Sequence, residues 1–515
     1  MRILRTRSST SRSKHLGYSI QEFIRNRPHT RIVCTLGPAT ASREQIRSLV
    51  QAGMSVARIN TSHSDLNFHA RCIQNVRAVS EELGVPIGIL ADLPGPKYRL
   101  SPLSDSGIPV ALGSHFTLLG EGTQPVNGAV PVLPSGIHHD VTAGDKIFIA
   151  DGAIQMRVLQ VSSAAVECEV TVGGVLESRK AVATPGRTSN LIYLTEETSN
   201  ALEFAVQQQV DFIGLSYVRS RADVLKAREF INGRSPYSQL IAKIELEEAV
   251  ARLDEILEEC DGVMVARGDL GVEVPIQRVP GIQKRIIQRA NEIGKVVITA
   301  TQMLESMISA PSPTRAEVTD IANAVLDGTD AIMLSAETSV GKYPVQAVEI
   351  MSQAAREAEK LLDRPWLARR RRDHIGGSVD ETIAYSACWA SARLDAVVIL
   401  AFTESGATAG RVASYRPEAP IIAMYRDEVA GRRLSLRWGV IPLPAPRISS
   451  MQWMLHEGSK AALETGFARE GDVAVAVAGM PIGVPGNTNL LRVMRLPEPA
   501  PRFERGLIDD AVRSS

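Results

Sequence analysis

Residues 240–302 read LIAKIELEEAVARLDEILEECDGVMVARGDLGVEVPIQRVPGIQKRIIQRANEIGKVVITATQ. Three apolar runs, 240–245, 261–266 and 295–300, are spaced by about one βα unit, and Val279–Ile293 has helical periodicity. Continuous apolar runs fit strands buried on both faces, the condition of a parallel sheet covered by helices. The first run ends on Glu245, with Lys243 two residues earlier. The second runs on to Asp269, and the third is followed by Thr301.

The pattern continues in both directions. Further β-type runs lie at 31–36 (RIVCTL), 54–59 (MSVARI), 86–91 (PIGILA), 211–216 (DFIGLS) and 330–335 (DAIMLS). Helix-period segments such as Arg43–Ala52 and Ala222–Ile231 follow most of them. Eight such units predict an α/β fold built on a (β/α)8 TIM barrel, whose chemistry belongs at the C-terminal strand ends. Arg58, Asn60, Asp92, Lys243, Glu245, Asp269, Thr301 and Glu337 fall there.

The interval between the third and fourth runs is too long for one helix. Its alternating segments HFTLL, DKIFIA, AIQMRVLQV and VECEVTV predict a small β-barrel inserted after the third strand, placed to act as a lid. After Pro365 the pattern restarts, with helices over 380–393 and 408–414 and strands at 396–402, 420–425, 439–444 and 472–479. The expected organisation is a basic tail (1–27), a first barrel segment (28–96), an inserted β lid (97–187), a second barrel segment (188–365), a C-terminal α/β regulatory domain (366–499) and a tail (500–515) with room for a short helix at Leu507–Arg513.

The 57 basic and 57 acidic side chains leave no net charge, which argues against nucleic acid as a partner. Cys34, Cys72, Cys168, Cys260 and Cys388 are dispersed without a C-x-x-C pair, the pattern of reduced thiols in a cytoplasmic protein. No run is long and apolar enough to cross a membrane. The first 20 residues are basic, Ser-rich and free of acids, which suits a solvated tail or an organelle transit peptide. The Arg369–Arg372 run reads as an exposed linker.

Two acids and an amine at the ends of successive strands can seat a divalent cation and an anionic substrate. Magnesium takes hard oxygen ligands and draws much of its shell from substrate and water, so two protein carboxylates suffice. The competing reading makes each acid an ordinary strand-end salt bridge. Gly268 would let backbone approach a ligand at the turn from the sixth strand, with free N–H groups there for a carboxylate.

From about Arg31 to Leu496 the chain resembles the pyruvate kinase family. The resemblance rests on TLGPAT (35–40), GMSVARINTSH (53–63), DLPGPKYR (92–99), AKIE (242–245), DGVMVARGDLGVEVP (261–275), ATQMLESM (300–307), PTRAEVTDIANAVLDGTDAIMLSAET (313–338) and TESGATAGRVASYRP (403–417). It implies a magnesium- or manganese-dependent enzyme acting on phosphoenolpyruvate and ADP/ATP, usually a homotetramer. It assigns Glu245 and Asp269 to the metal. Lys243, Arg58 and Thr301 become catalytic. Arg58, Ala266, Arg267, Gly268, Asp269 and Thr301 hold the substrate, and Asn60, His63 and Arg99 lie on the nucleotide side.

Departures from the family pattern carry information too. Relatives with glutamate where this chain has Lys97 need potassium, held by positions matching Asn60, Ser62 and Asp92. Lys97 places an ammonium there instead, and Leu93 replaces a threonine that helps ligate the ion, so potassium is not expected to be required. Glu197-Thr198 replaces a Lys-Asp pair that serves the nucleotide. Thr403, Glu404, Ser405, Gly406, Ala407 and Thr408 match a loop that binds the phosphate of a sugar-phosphate effector, with 479–493 as its Gly-rich closing loop. Two other readings stay open: a magnesium-dependent lyase acting on a 2-keto acid, and a non-catalytic sugar-phosphate sensor on the same fold.

Overall fold

The first barrel strand, Arg31–Thr35, pairs in parallel with the second, Met54–Asn60, and with the last, Ala331–Leu334, which closes the ring. Between them run Gly88–Asp92, Phe212–Leu215, Gln239–Ile244, Gly262–Ala266 and Val296–Ala300, each parallel to its neighbours in chain order. These are the eight expected strands, within two residues at either end. The computed structural model describes residues 27–62, 65–122, 124–126, 128–373, 377–446, 450–482 and 486–499. The first 20 residues, His63 and the Leu507–Arg513 segment therefore lie outside the described residues.

Nearly every residue of the eight strands is buried. Val33, Val56, Leu90, Phe212, Ile241, Met264, Ile298 and Met333 fill the barrel interior, while the opposite faces pack on the surrounding helices. That two-sided burial is why the runs show no alternation. The helices begin where local chemistry tells them to. Ser42 caps Arg43–Ala52 through the Gln45 amide, and Gly53 ends that helix at φ 135°. Thr314 and Glu317 form a reciprocal capping box on Arg315–Leu326.

The insert is a second closed barrel of seven strands with its own apolar core, including Leu118, Ile147, Met156, Val166 and Val182. Its first strand, Tyr98–Leu100, follows the third barrel strand after a Leu-Pro-Gly-Pro-Lys link, so it stands over the C-terminal face. The C-terminal domain is a five-stranded sheet. Val398–Thr403, Ile421–Tyr425, Val440–Pro444 and Val473–Gly479 are parallel, and Thr488–Arg495 pairs antiparallel at the edge. It docks on the opposite, N-terminal face of the large barrel, where Leu436 joins the barrel-interior core.

Two expectations need correction. Residues 488–495, read largely as closing loop, form that edge strand: they pair antiparallel with 473–479, from Val473 opposite Arg495 to Gly479 opposite Thr488. The arginine run is not an exposed linker. It ends the helix Arg364–Arg372, and Arg371 is buried with its guanidinium on the Glu292 carbonyl and the Glu381 carboxylate. Four adjacent arginines around a helix cannot all face water, and this one faces the junction between barrel and C-terminal domain.

Candidate active site

Residues two apart on a strand point to the same side. Arg58 and Asn60 therefore share a side of the second strand, as do Lys243 and Glu245 at the end of the fifth. Register sets Asn60 beside Asp92, and Gly214 of the fourth strand beside Asp92 on its other flank. Arg58, Asn60, Ser62, Asp92, Lys97, Arg99, Glu197, Lys243, Glu245 and Asp269 line one cleft of about 490 Å3 between barrel and lid.

Lys243 lies at its centre, buried, with Nζ 2.9 Å from Glu245 Oε1, 3.0 Å from Asp92 Oδ1 and donating to Ser216 Oγ at 2.7 Å. Burial works against its charge, but Asp92, Glu245 and Asp269 together outweigh it and hold the ammonium above the usual lysine range. Arg58 donates to Asp92 Oδ2 at 2.7 Å and to Thr35 Oγ1 at 2.8 Å. Burial raises the pKa of Asp92, but Lys243 and Arg58 overcome it and keep that carboxyl below its ordinary value.

Glu245 is the acid left short. It is fully buried, and its Oε2 accepts the Tyr217 amide at 2.6 Å. Its Oε1 has only the Lys243 ammonium, which it shares with Asp92 and Ser216. Burial, reinforced by Asp269, pushes its carboxyl up to about 7 against the pull of Lys243. The raised lysine and the raised glutamate are consistent, because three acids act together on one ammonium while burial and Asp269 outweigh its pull on Glu245. Asp269 Oδ1 accepts from Tyr217 Oη at 2.8 Å and Lys97 Nζ at 3.1 Å. Those two donors and Lys243 hold Asp269 below the normal range despite burial.

This donor set fits a hard divalent cation. A buried carboxylate oxygen that has only the shared Lys243 ammonium for a partner, near a second carboxylate, leaves lone pairs for a cation in the cleft. Among the described residues no group of three or more His, Cys, Asp or Glu could hold a metal by itself, so further ligands would come from substrate and water.

The other expected residues fall nearby with different roles. Gly268 donates its N–H to Thr301 Oγ1 at 2.8 Å, and that hydroxyl donates to the Ala300 carbonyl at 2.7 Å. Thr301 has φ 65°, a costly conformation for a β-branched residue. Ala266 is buried, and the Arg267 guanidinium turns away to Asp320 and the Ala300 and Thr301 carbonyls. Leu93 is buried and offers no polar side-chain group. Arg99 reaches the Arg179 carbonyl at 3.3 Å on the lid side. Glu337 is spent on the Leu304 and Ser335 amides.

In the C-terminal domain, Gly406 (φ 90°) starts the helix Ala407–Ala413, and its N–H goes to Thr403 Oγ1 at 3.0 Å. Thr408 shares a hydrogen bond with Thr488 at 2.8 Å. Thr403, Glu404, Ser405 and Thr408 line a narrow cleft with Arg426, which reaches Glu404 at 3.4 Å.

Sequence reasoning missed Ser216 and Tyr217. Both follow directly from the fourth strand, at the barrel end already marked for chemistry, so the strand-end rule applied once more would have found them.

The family model described as pyruvate kinase, barrel domain, matches residues 27–348, and that described as pyruvate kinase, alpha/beta domain, matches residues 381–494. Pyruvate kinase of Geobacillus stearothermophilus is 43% identical over 467 residues, 90% of this chain and 80% of that protein. Pyruvate kinase 2 of a Synechocystis strain is 40% identical over 468 residues, covering 90% and 78%. Pyruvate kinase of Thermotoga maritima is 41% identical over 468 residues, covering 91% and 99%.

Proposed function

The chain belongs to the pyruvate kinase family, and on that footing we propose that its cleft moves the phosphoryl group of phosphoenolpyruvate to ADP, giving pyruvate and ATP. The observation that carries this reading is the buried Lys243 ammonium, held charged among Asp92, Glu245 and Ser216 with Arg58 on the far side of Asp92.

Phosphoryl transfer asks little covalent chemistry of the protein and much electrostatic placement. Arg58 offers a planar fork to phosphate oxygens, and Lys243 offers a point charge to the group in flight. Glu245 and Asp269 would hold Mg2+ (or Mn2+), which when bound supplies positive charge to the phosphate and to the enolate oxygen left behind. The turn from Ala266 to Asp269 is where the substrate carboxylate would come, although the Gly268 N–H, expected to be free, is already donated to Thr301. The enolate must then gain a proton at its methylene carbon. Thr301, locked by Gly268 and Ala300, orders the water that delivers it. Asn60, His63 and Arg99 take the nucleotide under the lid. Glu197, an acid on the cleft wall where the family commonly has lysine, makes nucleotide preference a property to measure.

Potassium is not required in this reading, because Lys97 brings an ammonium to the cleft and Leu93 removes a potential ligand. The Thr403–Thr408 loop is the seat of a sugar-phosphate effector, and the active form is a homotetramer working in the cytoplasm. No described helix is long and apolar enough to cross a membrane. Neither the lyase nor the sensor reading has an observation of its own.

The test is a coupled assay of pyruvate formation from phosphoenolpyruvate and ADP. Turnover is expected with Mg2+ and absent with chelator, and unchanged when potassium replaces a bulky inert cation. No turnover with any divalent cation refutes the activity. A large rise on adding potassium refutes the role of Lys97.

A further inference from the structure

Lys97 stands where the barrel hands over to the lid, one residue before the strand Tyr98–Leu100. The Pro94-Gly95-Pro96 link before it is pressed on the Ser216–Tyr217 turn; a methyl group on Gly95 would lie 2.6 Å from the Tyr217 ring and 2.9 Å from the Ser216 carbonyl. The side chain is largely buried and runs across the Tyr217 ring, with Nζ 5.1 Å from the ring centre. Its ammonium ends 3.1 Å from Asp269 Oδ1, the oxygen that also takes the Tyr217 hydroxyl. The lid's Asp151 is 3.9 Å from the same nitrogen. Thus a carboxylate read above as a metal ligand already has a cation and a hydroxyl on one oxygen.

A divalent ion and an ammonium compete for such an oxygen, since each is stabilised by the same lone pairs and they repel each other at that range. We propose that Lys97 is the resident counter-cation of the divalent site, neutralising Asp269 until a divalent ion arrives and giving it up when one does. Asp151 is within reach to receive the displaced ammonium. This rests on the reading of Glu245 and Asp269 as metal ligands and adds that metal affinity is set partly by a residue that is not a ligand.

The experiment is Mn2+ binding to the full chain without substrate, followed by electron paramagnetic resonance of the free ion. Lys97→Met keeps most of the apolar stem and removes the charge. It is expected to bind Mn2+ on the order of ten-fold more tightly, the scale of a lost charge-assisted contact. Lys97→Arg should stay close to wild type. Unchanged or weaker binding in Lys97→Met overturns the proposal. A measurement on the wild-type chain needs no variant to fold: amine labelling of Lys97, read by mass spectrometry, should rise on Mn2+ addition, and a constant yield overturns the idea. Failure here is separable from failure of the proposed activity. Tighter Mn2+ binding with no phosphoryl transfer would sink the activity and leave the counter-cation standing. Absence of Mn2+ binding by the wild type, Lys97→Met and Glu245→Gln alike would sink both the metal reading and this one.

Discussion

At the N-terminal end of the barrel, Asp211, Asp261 and Asp330 sit just before the fourth, sixth and eighth strands. Each accepts the amide of a residue on the preceding strand: Ile89 at 2.9 Å, Leu240 at 2.8 Å and Val297 at 3.0 Å. Each also takes an arginine, namely Arg432, Arg228 and Arg416. At the C-terminal end, Asp92, Glu245 and Asp269 share Lys243, Arg58 and Lys97 in an open cleft, and one oxygen of Glu245 has only the shared Lys243 ammonium. The residue types are the same at the two ends. What differs is saturation. Acids whose lone pairs are filled by neighbouring backbone hold strands in register, and acids left partly unfilled in a cleft are available to a ligand. Saturation does not abolish the burial penalty, which still holds Asp211 above the usual carboxylate range.

The sharpest way to break this comparison is to neutralise the unsaturated acid. Glu245→Gln is expected to lower turnover by about 10³-fold, the scale for one positioned electrostatic group. Its thermal midpoint without metal should stay level or rise, because the substitution removes a buried charge that burial already disfavours. Loss of folding, with activity retained in the folded fraction, would place Glu245 with the structural acids instead.

The opposite outcome is expected at the other end. Arg416 is buried, donates to Asp330 Oδ1 at 2.8 Å and to the Gly328 carbonyl at 2.8 Å, and lies over the Trp438 ring. Arg416→Met should cost about 3 kcal/mol, because it leaves Asp330 charged and buried without its partner. Both residues would sit at the same φ of 52°, so backbone strain is common to the two chains. Urea unfolding reads the loss, and turnover per folded molecule should be unchanged. A drop in turnover with full stability would show that the docked C-terminal domain acts on the cleft through this pair.

The contrast also explains what could be read in advance. Strands buried on two faces leave uninterrupted apolar runs, so the barrel was legible, and strand periodicity alone put Lys243 and Glu245 on one side. The starting aspartates of DFIGLS, DGVMVA and DAIMLS were in plain view but silent, since what they bind is backbone on another strand, tens of residues away. Tyr217 stood at a strand end that the rule marks, but its partners did not show: its amide and hydroxyl meet Glu245 and Asp269 only after neighbouring strands pair. Arg371 looked solvated because its partners, Glu292 and Glu381, come from two different domains. Local pattern reports which face is apolar. It does not report which polar groups find each other.

The smallest expected effect tests whether the N-terminal end is closed to protons. His29 is mostly buried, edge-on to Trp438 at 4.6 Å between ring centres, and its Nδ1 has no hydrogen-bond partner. Its backbone holds the junction, with its N–H on Glu359 at 3.0 Å and its carbonyl accepting from Gly439 at 2.9 Å. Burial, then the charges of Arg31 and Arg364, push its imidazole down to about 3. An unfolded histidine titrates near 6.5. Between those values the unfolded chain binds the extra proton, so the stability His29 contributes is complete above about pH 6.5 and is lost progressively as pH falls toward 3. From pH 7 to pH 5 the loss is about 2 kcal/mol. His29→Phe keeps the ring and the backbone contacts and cannot titrate. The nearby Glu359, held above its usual range mainly by burial, titrates in both proteins and cancels. The wild type should therefore lose about 2 kcal/mol more than His29→Phe between pH 7 and 5. Equal losses would mean that the imidazole takes up its proton in the folded state, so that this end of the barrel is as open to a charge as the cleft.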